Sequence, residues 1–182
     1  VYVLLRFLFT VFGPSYGVVI LTFEFVLLPL AIVAMFAGSI TAIFQTNAKR
    51  LFAYSSVAQL GYMMLGVALS NIPGLMATIL HIFNHALMKG ALFMALGCVI
   101  YRLGNVSLAS MKGLGRSMPW TMGALILGGL SLIGVPGTVG FISKWHLVLG
   151  TLEAGFWPIA ILIVASSLLA VIYIWRIVEV AY

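Results

Sequence analysis

Residues 74–101 read GLMATILHIFNHALMKGALFMALGCVIY, an apolar run whose interior carries two histidines, an asparagine and a lysine. A helix that crosses the hydrocarbon core of a bilayer needs about 20 mostly apolar residues, so this run is long enough to span a membrane. Four further apolar segments lie at about 21–45, 51–69, 119–150 and 156–180. The sequence therefore predicts an all-α, polytopic transmembrane helix bundle with about five full spans.

The amino-terminal residues 1–12 form a shorter apolar stub that carries Arg6, and the helix-breaking residues 13–17, GPSYG, follow it. Glycine and proline at this density interrupt helices, so the stub is predicted to be a partial span. The chain starts without a methionine, a basic leader or a small-residue cleavage site. We interpret residues 1–182 as one transmembrane domain, a fragment of a longer subunit that begins within a helix.

The composition excludes a water-soluble fold and argues against a nucleic-acid partner. Apolar residues make up 64% of the chain and charged residues only 7%, whereas soluble domains have about a quarter charged residues. The net charge is +6, but the nine Lys and Arg residues are scattered and form no single basic face. Cys98 is the single cysteine and lies inside an apolar run, so no disulfide within the chain is possible.

The loops predict how the bundle is oriented. If the five segments alternate in direction, six cations fall on one side: Lys49, Arg50, Arg102, Lys112, Arg116 and Arg176. The opposite loops, 70–73 and 151–155, contain no Lys or Arg. The positive-inside rule assigns the basic loops and the carboxyl-terminal end to the cytoplasm, and we expect the membrane to be a bacterial plasma (inner) membrane.

Three residues of the 74–101 segment have the spacing of a proton path. His81, His85 and Lys89 fall within an arc of about 80° and extend over about 12 Å of helix axis. Lys89 lies midway along its segment, where a charged side chain costs at least about 2.5–3.5 kcal/mol. Desolvation favours the neutral amine, and a nearby carboxylate or water favours the charged one, so such a lysine can load and release a proton.

The two histidines have alternative interpretations. They can pass protons toward Lys89, because imidazole titrates near neutral pH and has a donor and an acceptor nitrogen, or they can be core residues hydrogen-bonded to a neighbouring helix. Their spacing also occurs in metal sites, but Ile82 stands where a zinc-protease helix has a glutamate, and no Cys or carboxylate lies nearby. No metal site is predicted.

The segment 119–150 is too long for one straight span. As a single helix it would extend about 48 Å, against a hydrocarbon core of about 30 Å. A break is predicted at Gly134, Pro136, Gly137 and Gly140, and Lys144 follows that break by four residues. An interrupted helix beside an intramembrane amine is typical of ion-transporting helices, and the alternative is a proline kink used only for packing.

A weaker polar stripe lies on the 51–69 segment. Ser55, Gln59 and Tyr62 stand at helical spacing and either line access to the path or bond to neighbouring helices, with the second interpretation favoured. Glu24 receives no role. No phosphate-binding loop, nucleophile elbow or Cys-x-x-Cys pair is present, so we predict no catalytic site and no cofactor on this chain.

Three strings of the sequence resemble one family. Residues 49–56 (KRLFAYSS), 81–89 (HIFNHALMK) and 134–145 (GVPGTVGFISKW) are similar to the antiporter-like subunits shared by respiratory complex I and the multisubunit monovalent cation/proton antiporters. Within that family, residues 140–145 (GFISKW) and 118–122 (MPWTM) most resemble the D-type subunit of the Mrp antiporters.

The resemblance implies a fold of about fourteen helices in two inverted repeats, of which this chain holds most of the second. It implies that Lys89 is the central proton-carrying lysine, that His81 and His85 are relay residues, and that Lys144 is the ionisable residue of the broken helix. Lys49 matches a lysine at the cytoplasmic entrance. Asn47 stands where the family often has an acidic residue, which weakens the case for Lys49.

Three functions are therefore expected in order. The first is an ion-translocating subunit of a Na⁺/proton antiporter, working with other membrane subunits in the lipid bilayer and moving protons and Na⁺. The second is a proton-pumping subunit of NADH:quinone oxidoreductase, in which case the chain belongs to a redox enzyme without bearing its catalytic site. The third is a scaffold subunit whose polar residues only join helices.

Overall fold

A computed structural model of the protein describes the backbone of residues 1–12 and 17–182 and the side chains of residues 1–12 and 24–182. This part of the chain is helical, apart from a single antiparallel bridge between Asn47 and Ser107. The α-helices are α1 (Tyr2–Phe7), α2 (Gly17–Ile43), α3 (Ala48–Ala68), α4 (Ile72–Leu103), α5 (Leu114–Ser117), α6 (Pro119–Ile133), α7 (Val139–Glu153) and α8 (Trp157–Ala181). A π-helical turn, Leu8–Phe12, continues α1, and a 3₁₀ turn, Leu108–Met111, precedes α5.

Four of the described helices are long and apolar enough to cross a membrane. They are α2 from Glu24 onward, α3, α4 and α8. The fifth predicted segment is divided into α6 and α7, each 15 residues long. Gly128 of α6 packs on Leu92 in the carboxyl-terminal half of α4, and Gly150 of α7 packs on Gly74 at its start, so α6 and α7 together run alongside the whole of α4. The polytopic bundle and its broken helix are confirmed.

Capping residues set the helix boundaries within a few residues of those predicted. Asn47 caps α3 by accepting hydrogen bonds from the Lys49 and Arg50 amides, and Asn71 caps α4 through the Gly74 amide, as expected for asparagine at this position. Helix α4 ends at Gly104, whose φ of 76° is left-handed. The predicted breaker at 13–17 lies mostly outside the described residues, and its last residue begins α2.

The basic loops meet at one end of the bundle. The Ala48 amide donates to the Val106 carbonyl at 3.0 Å, and the Gly113 amide donates to the Val180 carbonyl at 3.2 Å. These bonds join residues 44–47, residues 104–118 and the carboxyl end of α8, which together we call the basic end. Arg176 also donates to the main-chain oxygen of Ile43 at the end of α2. Which side of the membrane the basic end faces stays a prediction.

Apolar packing forms two clusters along the bundle. The cluster nearer the basic end contains Leu92, Leu96, Met122 and Tyr173 together with residues of α3. The other cluster includes Met35, Tyr62, Leu65 and Leu147. Many large apolar side chains of the described residues point outward instead, as expected where the surroundings are lipid or another subunit.

Candidate functional site

The predicted proton-path face of α4 points into the bundle. His81 and Lys89 are buried, with Lys89 only 7% exposed, and His85 is half-buried. The helical repeat that places these residues on one face directs them toward α3 and α7, the helices that pack on this part of α4. Lys89 therefore does not project into the surrounding membrane.

The Lys89 ammonium is held entirely by neutral acceptors. Its Nζ donates to the main-chain oxygen of Phe52 at 2.7 Å and to Ser55 Oγ at 2.5 Å. It also lies 5.4 Å from the centroid of the Phe52 ring, a position in which an aromatic face attracts a cation. Among the described side chains no carboxylate pairs with it, so the site can hold the amine in either protonation state without breaking an ion pair.

His81 bridges two helices through its ring nitrogens. Its Nε2 lies 2.9 Å from Gln59 Oε1 on α3, and its Nδ1 lies 2.7 Å from Ser143 Oγ on α7. An amide oxygen only accepts, so Nε2 carries a hydrogen and the neutral ring accepts at Nδ1 from the Ser143 hydroxyl. Ser143 Oγ also lies 3.2 Å from the Gly140 carbonyl, so the hydroxyl can turn to Gly140 when Nδ1 gains a proton.

His85 lies one helical turn from both His81 and Lys89. Its ring is stacked on that of His81, with 6.4 Å between the centroids and 12° between the planes. Its Nε2 is buried and has no hydrogen-bond partner. Buried polar atoms of this kind are usually satisfied by ordered water. The geometry therefore places an open acceptor or donor position between His81 and Lys89.

Lys144 joins the broken helix to α8. Its Nζ donates to the carbonyl oxygens of Leu132 and Ile133, at 3.0 and 2.9 Å, and to Ser167 Oγ at 3.0 Å. Those two carbonyls end α6 and have no intrahelical donor, so Lys144 acts as a cap. Its Nζ also lies 4.6 Å from the centroid of the Tyr62 ring.

Backbone geometry and two polar side chains define the break between α6 and α7. Gly134 and Gly137 both have a φ of 90°, a left-handed conformation that glycine adopts without steric cost. The Gly140 amide donates to Ser131 Oγ at 3.2 Å. Asn84 Nδ2 donates to the Val139 carbonyl at 2.7 Å, which attaches the first residue of α7 to α4. The unwound backbone is thus buried against protein, as such backbone must be at membrane depth.

The polar stripe of α3 contacts all three sets of ionisable groups. Ser55 bonds to Lys89, Gln59 bonds to His81, and the Tyr62 hydroxyl lies 3.3 Å from Ser167 Oγ beside Lys144. These are hydrogen bonds between neighbouring helices, as the favoured interpretation of the stripe expected. From Ser55 to Tyr62 they extend over about 10 Å of the α3 axis.

Lys49 lies apart from this cluster. It occupies the exposed first turn of α3 at the basic end, and only its amide has a recorded hydrogen bond, to Asn47 Oδ1. Arg6 is exposed on α1, and Glu24 is half-buried near the start of the described α2 side chains.

Several contributors to the cluster were not predicted. They are Ser143, Ser167, Asn84 and the main-chain oxygens of Phe52, Leu132 and Ile133. Ser143 directly precedes Lys144, and Ser166-Ser167 is a polar pair within an apolar run. Both pairs were visible in the sequence as polar groups at membrane depth, whereas no side-chain pattern marks an accepting carbonyl.

Known proteins share this arrangement. The family described as "NADH:quinone oxidoreductase/Mrp antiporter, TM" matches residues 1–170. The NADH-quinone oxidoreductase subunit N of Desulforudis audaxviator (strain MP104C) is 48% identical over 145 residues, which cover 80% of this chain and 29% of that protein. The chain thus spans less than a third of the length of this relative.

Solved structures give the same result for the fold. A chain in the structure of the Mrp complex from Dietzia sp. DQ12-45-1b superposes with a TM-score of 0.83 at 30% identity, covering 92% of this chain and 30% of that one. A chain of respiratory complex I from Thermus thermophilus, with bound aureothin, superposes with a TM-score of 0.73 at 28% identity, covering 86% and 35%. The chain is a helical, multi-pass membrane part of a protein that belongs to the NADH:quinone oxidoreductase/Mrp antiporter family.

Proposed function

We propose that this chain is the proton-carrying part of an antiporter-like subunit, similar to subunit N, in a respiratory complex of the NADH:quinone oxidoreductase type. The observation that carries the proposal is Lys89, a buried lysine whose acceptors are all neutral. An intramembrane ionisable residue is costly and marks an ion pathway by default. The 48% identity to a subunit N also exceeds the 30% identity to the Mrp chain, which favours the complex I alternative over a D-type Mrp protein.

In the proposed path, protons move between Lys89 and Lys144 through the two histidines. Lys89 exchanges a proton with His85 through water at the unpartnered Nε2, and His85 exchanges with the stacked His81. The Ser143 hydroxyl follows the charge on His81 by turning between Nδ1 and the Gly140 carbonyl. Tyr62 and Ser167 then connect this region to Lys144.

The two ends of the path are assigned by position. Lys49 lies at the basic end, about one turn from Phe52, whose carbonyl holds Lys89, and it serves as the entrance. The glycines and proline of the break, Gly134, Pro136, Gly137 and Gly140, keep the carbonyls of α6 free to accept from Lys144. The basic end faces the cytoplasm of a bacterial inner membrane.

The rest of the subunit and its partners belong to the proposal as well. Residues 1–182 form one transmembrane domain that corresponds to the second inverted repeat, because the chain covers 29% of its subunit N relative. The other partners are membrane subunits of the same complex. A path that crosses the membrane completely also needs the remainder of the subunit.

A second candidate is an Mrp-type cation/proton antiporter, in which proton movement is coupled to sodium. The observation in its favour is the superposition on the Dietzia Mrp chain, which covers 92% of this chain with a TM-score of 0.83. The two candidates differ in what drives transport. Electron donor oxidation drives proton uptake into inverted vesicles in the first case, and an imposed sodium gradient does so in the second.

The test is Lys89→Ala in the full-length subunit within its assembled complex. Inverted membrane vesicles are energised with NADH, and acidification is followed with a pH-sensitive dye and divided by the rate of NADH oxidation. The control is Lys112→Ala, which removes a cation from an exposed loop position. We expect Lys89→Ala to lose most of the acidification per NADH and Lys112→Ala to keep it. Near-normal acidification by Lys89→Ala, with normal assembly, would reject the proposal and favour the scaffold alternative.

A further inference from the structure

Outside the proton path, the largest described cavity is a groove on the outer surface at the basic end. It has a volume of about 940 Å³ and lies between the carboxyl-terminal half of α4 and the start of α6. Its lining consists of Met94, Gly97, Cys98, Tyr101, Arg102, Met118 and Thr121. None of the proton-path residues contributes to it. A different explanation is therefore needed for this surface.

The α4 wall of the groove is one continuous helix face. Met94, Gly97, Cys98 and Tyr101 stand at i, i+3, i+4 and i+7, the spacing of neighbours on a helix surface. A side chain added at Gly97 would meet no atom within 4 Å, and the same holds at Gly90 two turns earlier. From Gly90 to Tyr101 this open track extends over about 16 Å of helix axis, close to the depth of one leaflet of a hydrocarbon core about 30 Å thick.

The outer end of the track carries a free cation and two interfacial aromatic residues. Arg102 lines the groove, and no hydrogen bond or ion pair of its side chain is found among the described residues. No acidic side chain lines the groove. Tyr101 is 95% exposed and Trp120, at the start of α6, is 91% exposed. Exposed Tyr and Trp beside a terminal Arg are typical of the level at which lipid headgroups begin.

We propose that this groove binds an anionic phospholipid. One acyl chain lies along the track of Gly90, Met94 and Gly97, and the phosphate is held by Arg102 at the membrane surface. Basic pockets between transmembrane helices recognise anionic headgroups in this way. The first turn of α6 opens at the same end without a side-chain cap, which adds unpaired amide donors near the phosphate but is not by itself a site. The proposal does not depend on the proton path.

Cys98 provides a probe inside the groove, because its side chain is exposed there. The full-length subunit in its complex is labelled with a benzophenone maleimide, reconstituted into vesicles of phosphatidylglycerol and phosphatidylethanolamine, and irradiated. Cys98→Ser identifies the adducts that require this thiol. We expect phosphatidylglycerol adducts in excess of its share of the vesicle lipid. A cross-link to another protein segment, failure of the thiol to label, or adducts that follow the bulk lipid ratio would each overturn the proposal.

Matched variants test the two parts of the site separately, with retained phospholipid counted by native mass spectrometry of the purified complex. Arg102→Ala should lower phosphatidylglycerol retention about fivefold, the effect of one interfacial cation, while Arg102→Lys should keep most of it. Gly97→Leu should displace the acyl chain by filling the open track. Arg50→Ala removes an exposed cation at the same end but outside the groove and should change nothing. Equal retention by Arg102→Ala and Arg50→Ala would overturn the proposal.

Discussion

Ser143 Oγ lies 2.7 Å from His81 Nδ1, and this contact connects the middle of α4 to the second half of the broken helix. The same hydroxyl lies 3.2 Å from the Gly140 carbonyl, while His81 Nε2 is fixed by Gln59. A hydroxyl with two alternative acceptors can keep the imidazole hydrogen-bonded in both protonation states. Ser143 is therefore the residue of the cluster whose removal best separates proton transfer from folding.

Ser143→Ala should slow proton translocation with little effect on assembly. It removes the partner of His81 Nδ1 and leaves the bond to Gln59 in place. A net hydrogen bond of about 1 kcal/mol corresponds to about a fivefold change in rate, so we expect about fivefold slower acidification per NADH in inverted vesicles. Ser110→Ala removes a serine hydroxyl that bonds only within its own turn at the basic end, and it should behave as wild type. Equal rates in the two variants would contradict this role.

Lys144→Met should destabilise the subunit more than Lys89→Met does. Lys144 is the donor to two carbonyls at the end of α6, and each buried group left unpaired costs about 1–3 kcal/mol. The Phe52 carbonyl that holds Lys89 also accepts from Ser55 and Ser56, so it stays satisfied. The measurement is the temperature of thermal dissociation of the detergent-purified complex. Equal losses for the two variants would show that Lys144 is not a helix cap.

The sequence contained enough information for the helices and the ionisable face, but not for the partners across helices. A helical period of 3.6 residues places His81, His85 and Lys89 on one face whatever surrounds them, and length alone requires a break near Gly134. The pairing of Gln59 with His81 depends on the register between α3 and α4, which no single segment encodes. For the same reason the stripe of α3 was predicted as polar contacts without named partners.

Lys49 and the caps illustrate the same limit. The resemblance placed Lys49 at an entrance, and the structure places it in the exposed first turn of α3, where no contact tests that role. The carbonyl acceptors of Lys144 exist only because α6 ends at Ile133 and folds back toward α7. An acceptor that is created by tertiary folding has no signature in a list of side chains.

Gly140→Ala should prevent the broken helix from closing. A Cβ at Gly140 would fall on the main-chain oxygen of Ser131, whose position in the backbone cannot shift cheaply. Overpacking of this kind costs typically about 1–3 kcal/mol, occasionally more, so we expect much less assembled subunit in membranes. Gly90→Ala is the matched control because a Cβ there meets nothing within 4 Å. That variant should be neutral or more stable by about 0.5–1 kcal/mol, as measured by blue native gels and thermal dissociation; normal assembly of Gly140→Ala would refute this account of the break.

Asn71→Ala should weaken the bundle at the end opposite the basic loops without altering transport by the molecules that remain folded. Asn71 Oδ1 accepts from the Gly74 amide at 2.8 Å and its Nδ2 donates to the Gly150 carbonyl at 2.7 Å, so one side chain caps α4 and fastens it to α7. Loss of a cap costs about 1 kcal/mol and loss of a second hydrogen bond about as much again.

The matched control is Asn105→Ala, because Asn105 accepts only from Ser107 in an exposed loop. It should stay within about 0.5 kcal/mol of wild type, as exposed substitutions usually do. Thermal dissociation of the detergent-purified complex measures both variants, and acidification per NADH is measured on the same preparations. A drop in acidification for Asn71→Ala at unchanged stability would mean that the contact between α4 and α7 acts in transport itself, since proton transfer between His81 and Ser143 depends on the same pair of helices.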